Sequence, residues 1–295
     1  MAFAIKGEYN TVPLTRWQAD ASIGIPSAPV PGEPFWYPLL QRSHNFETII
    51  LSRKGPVANV TLHRPRAGNR VNPTMAEELA WTADTVNQDE SIRVVTVTGT
   101  GRTFSSGWER LRVRSAEELV RYEAAKAIAR IEKPVVAAIN GDAIGQGLEL
   151  ALAADIRIAI DTAHFGMPQV SFGALPWDGG TQRLPRLIGR AHALELLLTG
   201  EVVDAVEAFR IGLVSRTVSP KEFHKVVEDT ATQIASAAPV AARYAKETVL
   251  KGMDMTMDQA LRLEADLNIL LHSTHDRAEG IRSFLERRTP RFRGR

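Results

Sequence analysis

An α/β fold with mainly parallel strands and a helical C-terminal layer is what this sequence predicts, on three observations. Short apolar runs rich in Val and Ile alternate with stretches of helical periodicity from about residue 46 to residue 188. Two of those runs end in glycine-bearing turns that lead into further structure. After Gly189 nearly every segment carries a helical period. At 295 residues and 44% hydrophobic, the chain can bury a sizeable core, as one large domain or two.

The elements follow in order. The first 45 residues hold five prolines between Ser22 and Pro38 and no sustained period, which predicts an ordered or semi-ordered extension over the surface. "ETIILSRKGPVANVTLHRP" reads as two strands around Gly55-Pro56. "NPTMAEELAWTADTVNQD" has the helical period, and "SIRVVTVTGTG" is a buried-strand run. Ser115 with Glu118 forms a capping box that opens a helix along "SAEELVRYEAAKAIARIEK". Pro134 begins the strand "PVVAAIN"; a glycine turn, a short helix from near Leu148 and the strand "DIRIAI" follow. The remainder reads as the helices "AHALELLLTG", "DAVEAFRIG", "PKEFHKVVEDTATQIASA", "PVAARYAKETVLKG" and "TMDQALRLEADLNILLHST". No internal repeat is visible at the residue level.

Charge and composition narrow the function. The formal net charge is +2, but the last ten residues, "ERRTPRFRGR", carry +4 locally, which leaves residues 1–285 at about −2. That short tail interleaves only Phe292 among its arginines and lacks the aromatic platform of a nucleic-acid surface. No apolar run reaches the ~18–20 residues of a membrane span, and the N-terminus lacks a signal-peptide core. The chain has no cysteine, which removes disulfides and thiolate metal sites. The Asn59-Val60-Thr61 sequon lies in a strand-like run and reads as chance. No His/Asp/Glu spacing suggests a metal site. A soluble cytoplasmic protein is expected.

Two glycine turns carry the chemistry. Gly99-Thr100-Gly101 follows a strand and invites a dinucleotide-binding reading, but Phe104 occupies the third glycine position. The second turn, "NGDAIGQGLELALAADI", places Gly141, Gly145 and Gly147 ahead of a helix. Such a strand–turn–helix aims backbone N–H groups and a positive helix end at whatever lies above it. Without the Lys-Ser/Thr of a phosphate loop, it suits an oxyanion better than a triphosphate.

Together with "LHRPRAGNRVNPTM", "VTGTGRTFSSGWE", "FGMPQVSFGALPWDGGTQRLPRLIG", "LLLTGEVVDAVEAFRIGLVSRTV" and "THDRAEGIRSFLERRTPRF", these turns resemble the crotonase (enoyl-CoA hydratase/isomerase) superfamily. The resemblance covers about Phe46 to Arg295. It implies an α/β fold with a crotonase-like ββα spiral core and a helical C-terminal trimerisation domain, in a trimer or a hexamer. The domain boundaries expected are 1–45 for the extension, 46–235 for the core and 236–295 for the oligomerisation region.

The resemblance also implies the site. The acyl thioester carbonyl becomes enolate-like, and two fixed N–H donors stabilise it. By resemblance those donors are the backbone N–H groups of Trp108 and Gln146, at positions that are usually small in the hydratases. Glu149 falls on the first of the hydratases' two glutamates. The second position holds Gln169, and an amide cannot accept and return a proton at neutral pH. Asp178 is the candidate for the missing carboxylate, with Trp177 shaping an apolar pocket that raises a neighbouring acid's pKa. Gln169 then orients water or a carbonyl. Arg66 and Ala67 are expected at the CoA, and Arg287, Arg288 and Arg291 pair with its phosphates from a neighbouring subunit. No cofactor is implied beyond the CoA of the substrate.

Plainer roles stand beside each of these. Asp178 would cap the helix "GGTQRLPRLIG", Glu149 would be a helix-N-terminus acid, Gln146 an inert surface-loop residue, and Trp108 and Trp177 ordinary core aromatics. Glu109 is given no catalytic role, and His63 and His164 read as satisfied core residues. The leading function is hydration or dehydration of an enoyl-CoA, cyclic or aromatic acyl groups included, through Glu149 and Asp178. The alternatives are an enolate-forming isomerase of the same superfamily, a β-diketone carbon–carbon hydrolase using Asp178, and a non-enzymatic scaffold.

Overall fold

The computed structural model describes residues 46–109 and 115–295. The proline-rich extension 1–45, with its "PFWYP" cluster, lies outside the described residues.

Strand β1 (Ile49–Lys54) and β2 (Val57–Leu62) form the antiparallel hairpin expected around Gly55-Pro56. Helix α1 (Pro73–Gln88) starts where Asn72 accepts from Met75 N at 2.9 Å and Pro73 occupies the first turn. The chain then winds through three similar turns. Each places one strand in a large sheet and the next in a small one: β3 (Val94–Gly99) with β4 (Thr103–Ser105), β5 (Val135–Ile139) with β6 (Asp142–Ile144), and β7 (Ile156–Ile160) with β8 (His164–Gly166). The large sheet has the order β1-β2-β3-β5-β7-β10 and is parallel beyond its first hairpin, closing on β10 (Arg216–Val218). The small sheet runs β4-β6-β8-β9, with β9 (Val202–Asp204) antiparallel to β8. The repeat is one of topology, with no matching repeat in the residues.

β5 is buried along its whole length, as a parallel strand covered on both faces must be. One face meets α1, α3 (Ala124–Ala129) and α4 (Gln146–Leu152). The other meets α8 (Pro220–Ala235) through Phe223, Ala231 and Ala235.

Two expectations are corrected here. The helix expected without a break from Ser115 is two short helices, α2 (Ala116–Val120) and α3. Ser115 caps the first, accepting from Glu118 N at 3.3 Å. The second is started afresh by a carboxylate from 52 residues away, Asp178, which accepts from Ala125 N at 2.6 Å and Lys126 N at 3.0 Å. The part after Gly189 is also less uniformly helical than its period suggests. Between α6 (Arg190–Thr199), α7 (Ala205–Arg210) and α8 it inserts β9 and β10, three residues each, too short to show an alternation.

The chain ends in α9 (Pro239–Gly252), α10 (Met257–Leu271) and α11 (His275–Leu285). Lys246 ties α9 to the core, donating to Ile131 O at 2.7 Å and Lys133 O at 3.0 Å and pairing with Asp155 at 2.9 Å. These helices leave Val249, Met257, Leu261, Ile269, Phe284 and Leu285 exposed. Among the described residues no helix is long and apolar enough to cross a membrane.

Candidate functional site

The site forms where the loop after β4 meets the turn after β6. Val71 donates to Gly107 O at 2.9 Å and accepts from Glu109 N at 2.8 Å. That bridge turns the intervening Trp108 N–H away from Val71. There Gly145 holds φ +57° and ψ −123°, a conformation glycine adopts without penalty, and hands the chain to Gln146 at the first position of α4. A Cβ on Gly107 would lie 3.9 Å from Gln146 N, so the two loops stand against each other. Neither Trp108 N–H nor Gln146 N–H has an acceptor among the described residues. Gln146 itself keeps a negative φ and so does not need to be glycine. It is fully buried, which corrects the surface-loop reading.

Glu149 lies one turn further along α4, fully buried. Its Oε1 accepts from Asp178 N and Gly180 N, both at 2.8 Å, while Oε2 has no partner. Burial pushes its carboxyl up to about 7; the N–H of Gly180 opposes this and the Asp178 charge adds to it. Six buried side-chain polar atoms lack a partner among the described residues. Five of them are here: Glu149 Oε2, Gln146 Oε1, both amide atoms of Gln169 and Trp177 Nε1. Buried polar groups are almost always hydrogen-bonded, so such a cluster marks the place built for substrate or water.

Gln169 sits in a 3₁₀ turn, Pro168–Phe172, with its Nε2 3.5 Å from where a Gly145 Cβ would be. It therefore lies against the turn at Gly145, with an unpaired amide. Trp177 stacks edge-on against Trp108 with ring centres 4.5 Å apart at 74°, and Trp108 in turn meets Tyr122 at 5.9 Å. The two tryptophans are half-buried, and they wall the site rather than fill the core.

Asp178 stands beside the site, with its carboxylate committed to three donors: Ala125 N, Lys126 N and Gln146 Nε2. Burial pushes this carboxyl up, and the hydrogen bonds hold it down. It caps α3 and not the helix that follows it. That helix, α5 (Gly180–Ile188), begins at Gly179 with no side-chain cap, so the local-cap expectation for Asp178 is corrected.

The remaining candidates separate. Arg66 and Ala67 occupy a 3₁₀ turn whose next residue, Gly68, accepts from Ser106 N at 2.9 Å, beside the Trp108 loop. Arg287 and Arg288 follow α11, where Arg288 pairs with Glu279 at 2.6 Å and with Glu286 at 2.5 Å; no described contact links them to Glu149. Glu109 pairs with Arg64 at 3.1 Å. His63 and His164 are exposed, which corrects the core reading: they bond Thr100 Oγ1 and Asp142, each at 3.0 Å. Among the described residues no group of three or more His, Asp or Glu is placed to hold a metal ion. Volume alone points elsewhere, to a cleft of about 800 Å³ lined by Arg282, Arg291 and other tail residues. The unpartnered polar atoms, and not volume, identify the site. Sequence reading missed the Gln146 side chain and Tyr122; nothing local marks either.

The chain matches the family Enoyl-CoA hydratase/isomerase over residues 52–295. It is 39% identical over 255 residues to a crotonyl-CoA hydratase of Syntrophomonas wolfei, covering 84% of this chain and 98% of that one. It is likewise 39% identical over 259 residues to an (E)-benzylidenesuccinyl-CoA hydratase of Thauera aromatica, covering 83% and 99%. The crystal structure of an enoyl-CoA hydratase from Bacillus anthracis superposes with a TM-score of 0.81 at 34% identity, over 84% of this chain and all of that one.

Proposed function

The chain belongs to the enoyl-CoA hydratase/isomerase family, and from that premise we propose that it adds water to an enoyl-CoA thioester, or removes it, with Glu149 as the proton carrier. One observation carries the reading: Glu149 has one oxygen fixed by two N–H groups and the other without a partner, on the same short helix as the Gln146 N–H, which like the Trp108 N–H has no acceptor among the described residues. In the hydration direction Glu149 Oε2 takes a proton from water as the water oxygen bonds to the β-carbon. The π electrons move onto the thioester oxygen, where Trp108 N–H and Gln146 N–H stabilise the negative charge. The enolate then collapses, and Glu149 returns the proton to the α-carbon. One carboxylate suffices, since the proton it gives is the proton it took. Gln169 holds the water through its unpaired amide.

Trp108 and Trp177 favour a cyclic or aromatic acyl end, because their edge-on pair offers an aromatic corner and an indole N–H. Arg66 and Ala67 take the CoA end, and Arg287 and Arg288 its phosphates from a neighbouring copy. The exposed apolar side chains of α9–α11 are the seat of a trimer or hexamer, to be read by light scattering. A cytoplasmic enzyme that uses no cofactor beyond that CoA completes the reading.

The test is incubation in oxygen-18 water with linear and aryl enoyl-CoA thioesters, followed by mass spectrometry. Label in an intact, heavier CoA thioester supports hydration, and Glu149→Gln should abolish it. An isomerase is the second reading, favoured by the single carboxylate with a free oxygen; it would give a product of unchanged mass and no label. Opening of a free β-diketone would overturn both, and it would require the Asp178 carboxylate to leave its three donors.

A further inference from the structure

Gln146 enters the proposed chemistry only through its backbone N–H, yet its side chain is fully buried and makes contacts that a small residue could not. Its Nε2 donates to Tyr122 O, in the turn between α2 and α3, and to Asp178 Oδ2 at 3.1 Å. Asp178 in turn fixes the start of α3 through Ala125 N at 2.6 Å and Lys126 N at 3.0 Å. The Asp178 main chain is gripped from both sides: its N–H donates to Glu149 Oε1 at 2.8 Å, and its carbonyl accepts from Arg183 Nη1 at 2.7 Å.

We propose that the Gln146 side chain and Asp178 are positioning residues for Glu149, a brace joining the start of α3, the oxyanion turn and the peptide N–H that holds the proton carrier. The inference rests on the reading of Glu149 as that carrier. The chemistry selects an amide. Glutamate at 146 would set a second carboxylate against Asp178 Oδ2, and a small apolar residue would take one of two donors from each of Tyr122 O and Asp178 Oδ2, leaving them Ala124 N and Ala125 N alone and unlinked to the turn at 146. Asp178 suits the role as an acceptor-only group, since Ala125, Lys126 and Gln146 all donate to it. The same residue that supplies the oxyanion N–H thus sets, through its side chain, where the base stands.

The test uses the full-length protein with Gln146→Met, Gln146→Ala, Asp178→Asn and the Q146M/D178N double variant. Both Gln146 variants keep the backbone N–H, and alanine fits if methionine disturbs folding. On an enoyl-CoA that the wild type turns over, each Gln146 variant should lose about 10–100-fold in kcat with KM little changed, the mark of an interaction felt in the transition state. The double variant should be no worse than its more damaged parent, because both act on one chain of contacts. Independently of turnover, hydrogen–deuterium exchange should quicken in peptides covering 122–126 and 176–180 and stay unchanged across β3 and β5. Wild-type kcat in both Gln146 variants, or unchanged exchange, overturns the brace. So does additivity with an Asp178→Asn loss as large as that of Glu149→Gln, which would make Asp178 a proton carrier in its own right. A wild type that hydrates nothing while exchange still quickens in Gln146→Met would sink the hydratase reading and leave the brace standing.

Discussion

The backbone N–H of Asp178 donates to Glu149 Oε1 at 2.8 Å, so the residue that the sequence offers as a second carboxylate also holds the first one. Among the described residues, Glu149 Oε2 is the carboxylate oxygen of the site that has no hydrogen-bond partner.

The pH dependence of hydration follows. Burial pushes Glu149 up to about 7, and it must be ionised to take a proton from water. Activity on an enoyl-CoA should therefore rise with pH through about 7 and fall roughly tenfold per unit below it. Initial rates of kcat/KM between pH 5 and 9 test this; a flat profile would remove Glu149 from the proton-transfer role.

The same group sets a stability trend of opposite sign. An acid whose folded pKa is raised keeps its proton in the native state after the unfolded chain has lost it. Stability therefore falls as pH climbs from about 4.5 to about 7. Above that window the full cost of burying the charge is present. Glu149→Gln should raise the melting temperature at pH 8 and match the wild type near pH 4.5, with a gain of up to about 3 kcal/mol at roughly 1.4 kcal/mol per pH unit. Calorimetry at the two pH values decides. No gain at pH 8 would mean that the two N–H groups at Oε1 favour the carboxylate more than burial opposes it.

How much of this was legible in the sequence depends on how local each signal was. The turn into α4 was readable because strand, glycine and helix follow within a dozen residues, although the helix starts at Gln146, two residues before the Leu148 expected. The cap that Asp178 gives to α3 was not readable, because donor and acceptor are 52 and 53 residues apart and Ala125 and Lys126 look like ordinary helix interior. For the same reason the break at Tyr122 was invisible: the helical period runs straight through it. The small sheet escaped because β4, β6, β8 and β9 have three residues each, fewer than an alternation needs.

Acyl selectivity should reside in the tryptophan pair. Trp177→Ala removes the edge-on partner of Trp108, a contact worth about 0.5–1.5 kcal/mol beyond its buried area. The kcat/KM ratio of an aryl enoyl-CoA to a short linear one should fall by about tenfold. An unchanged ratio would place the acyl group elsewhere.

Gly147→Ala is the severest test of the proposed oxyanion site, because the usual rule is reversed there. Alanine in a helix normally gains up to about 1 kcal/mol over glycine. At Gly147, however, a Cβ would stand 2.1 Å from Ser105 O and 2.7 Å from Ser105 C, both backbone atoms that cannot rotate away. The start of α4 would have to move off the β4 loop, drawing Gln146 N–H away from Trp108 N–H. Gly147→Ala should thus cost about 2 kcal/mol or more in stability and at least about 100-fold in kcat, since one oxyanion donor alone is worth that much. Gly252→Ala is the control: its Cβ would meet only Ala260 Cβ, at an ordinary 3.4 Å, at the end of α9. That variant should keep full activity and gain a few tenths of a kcal/mol or more. Equal behaviour of the two variants would mean that the close approach of α4 to Ser105 does not hold the two amides together.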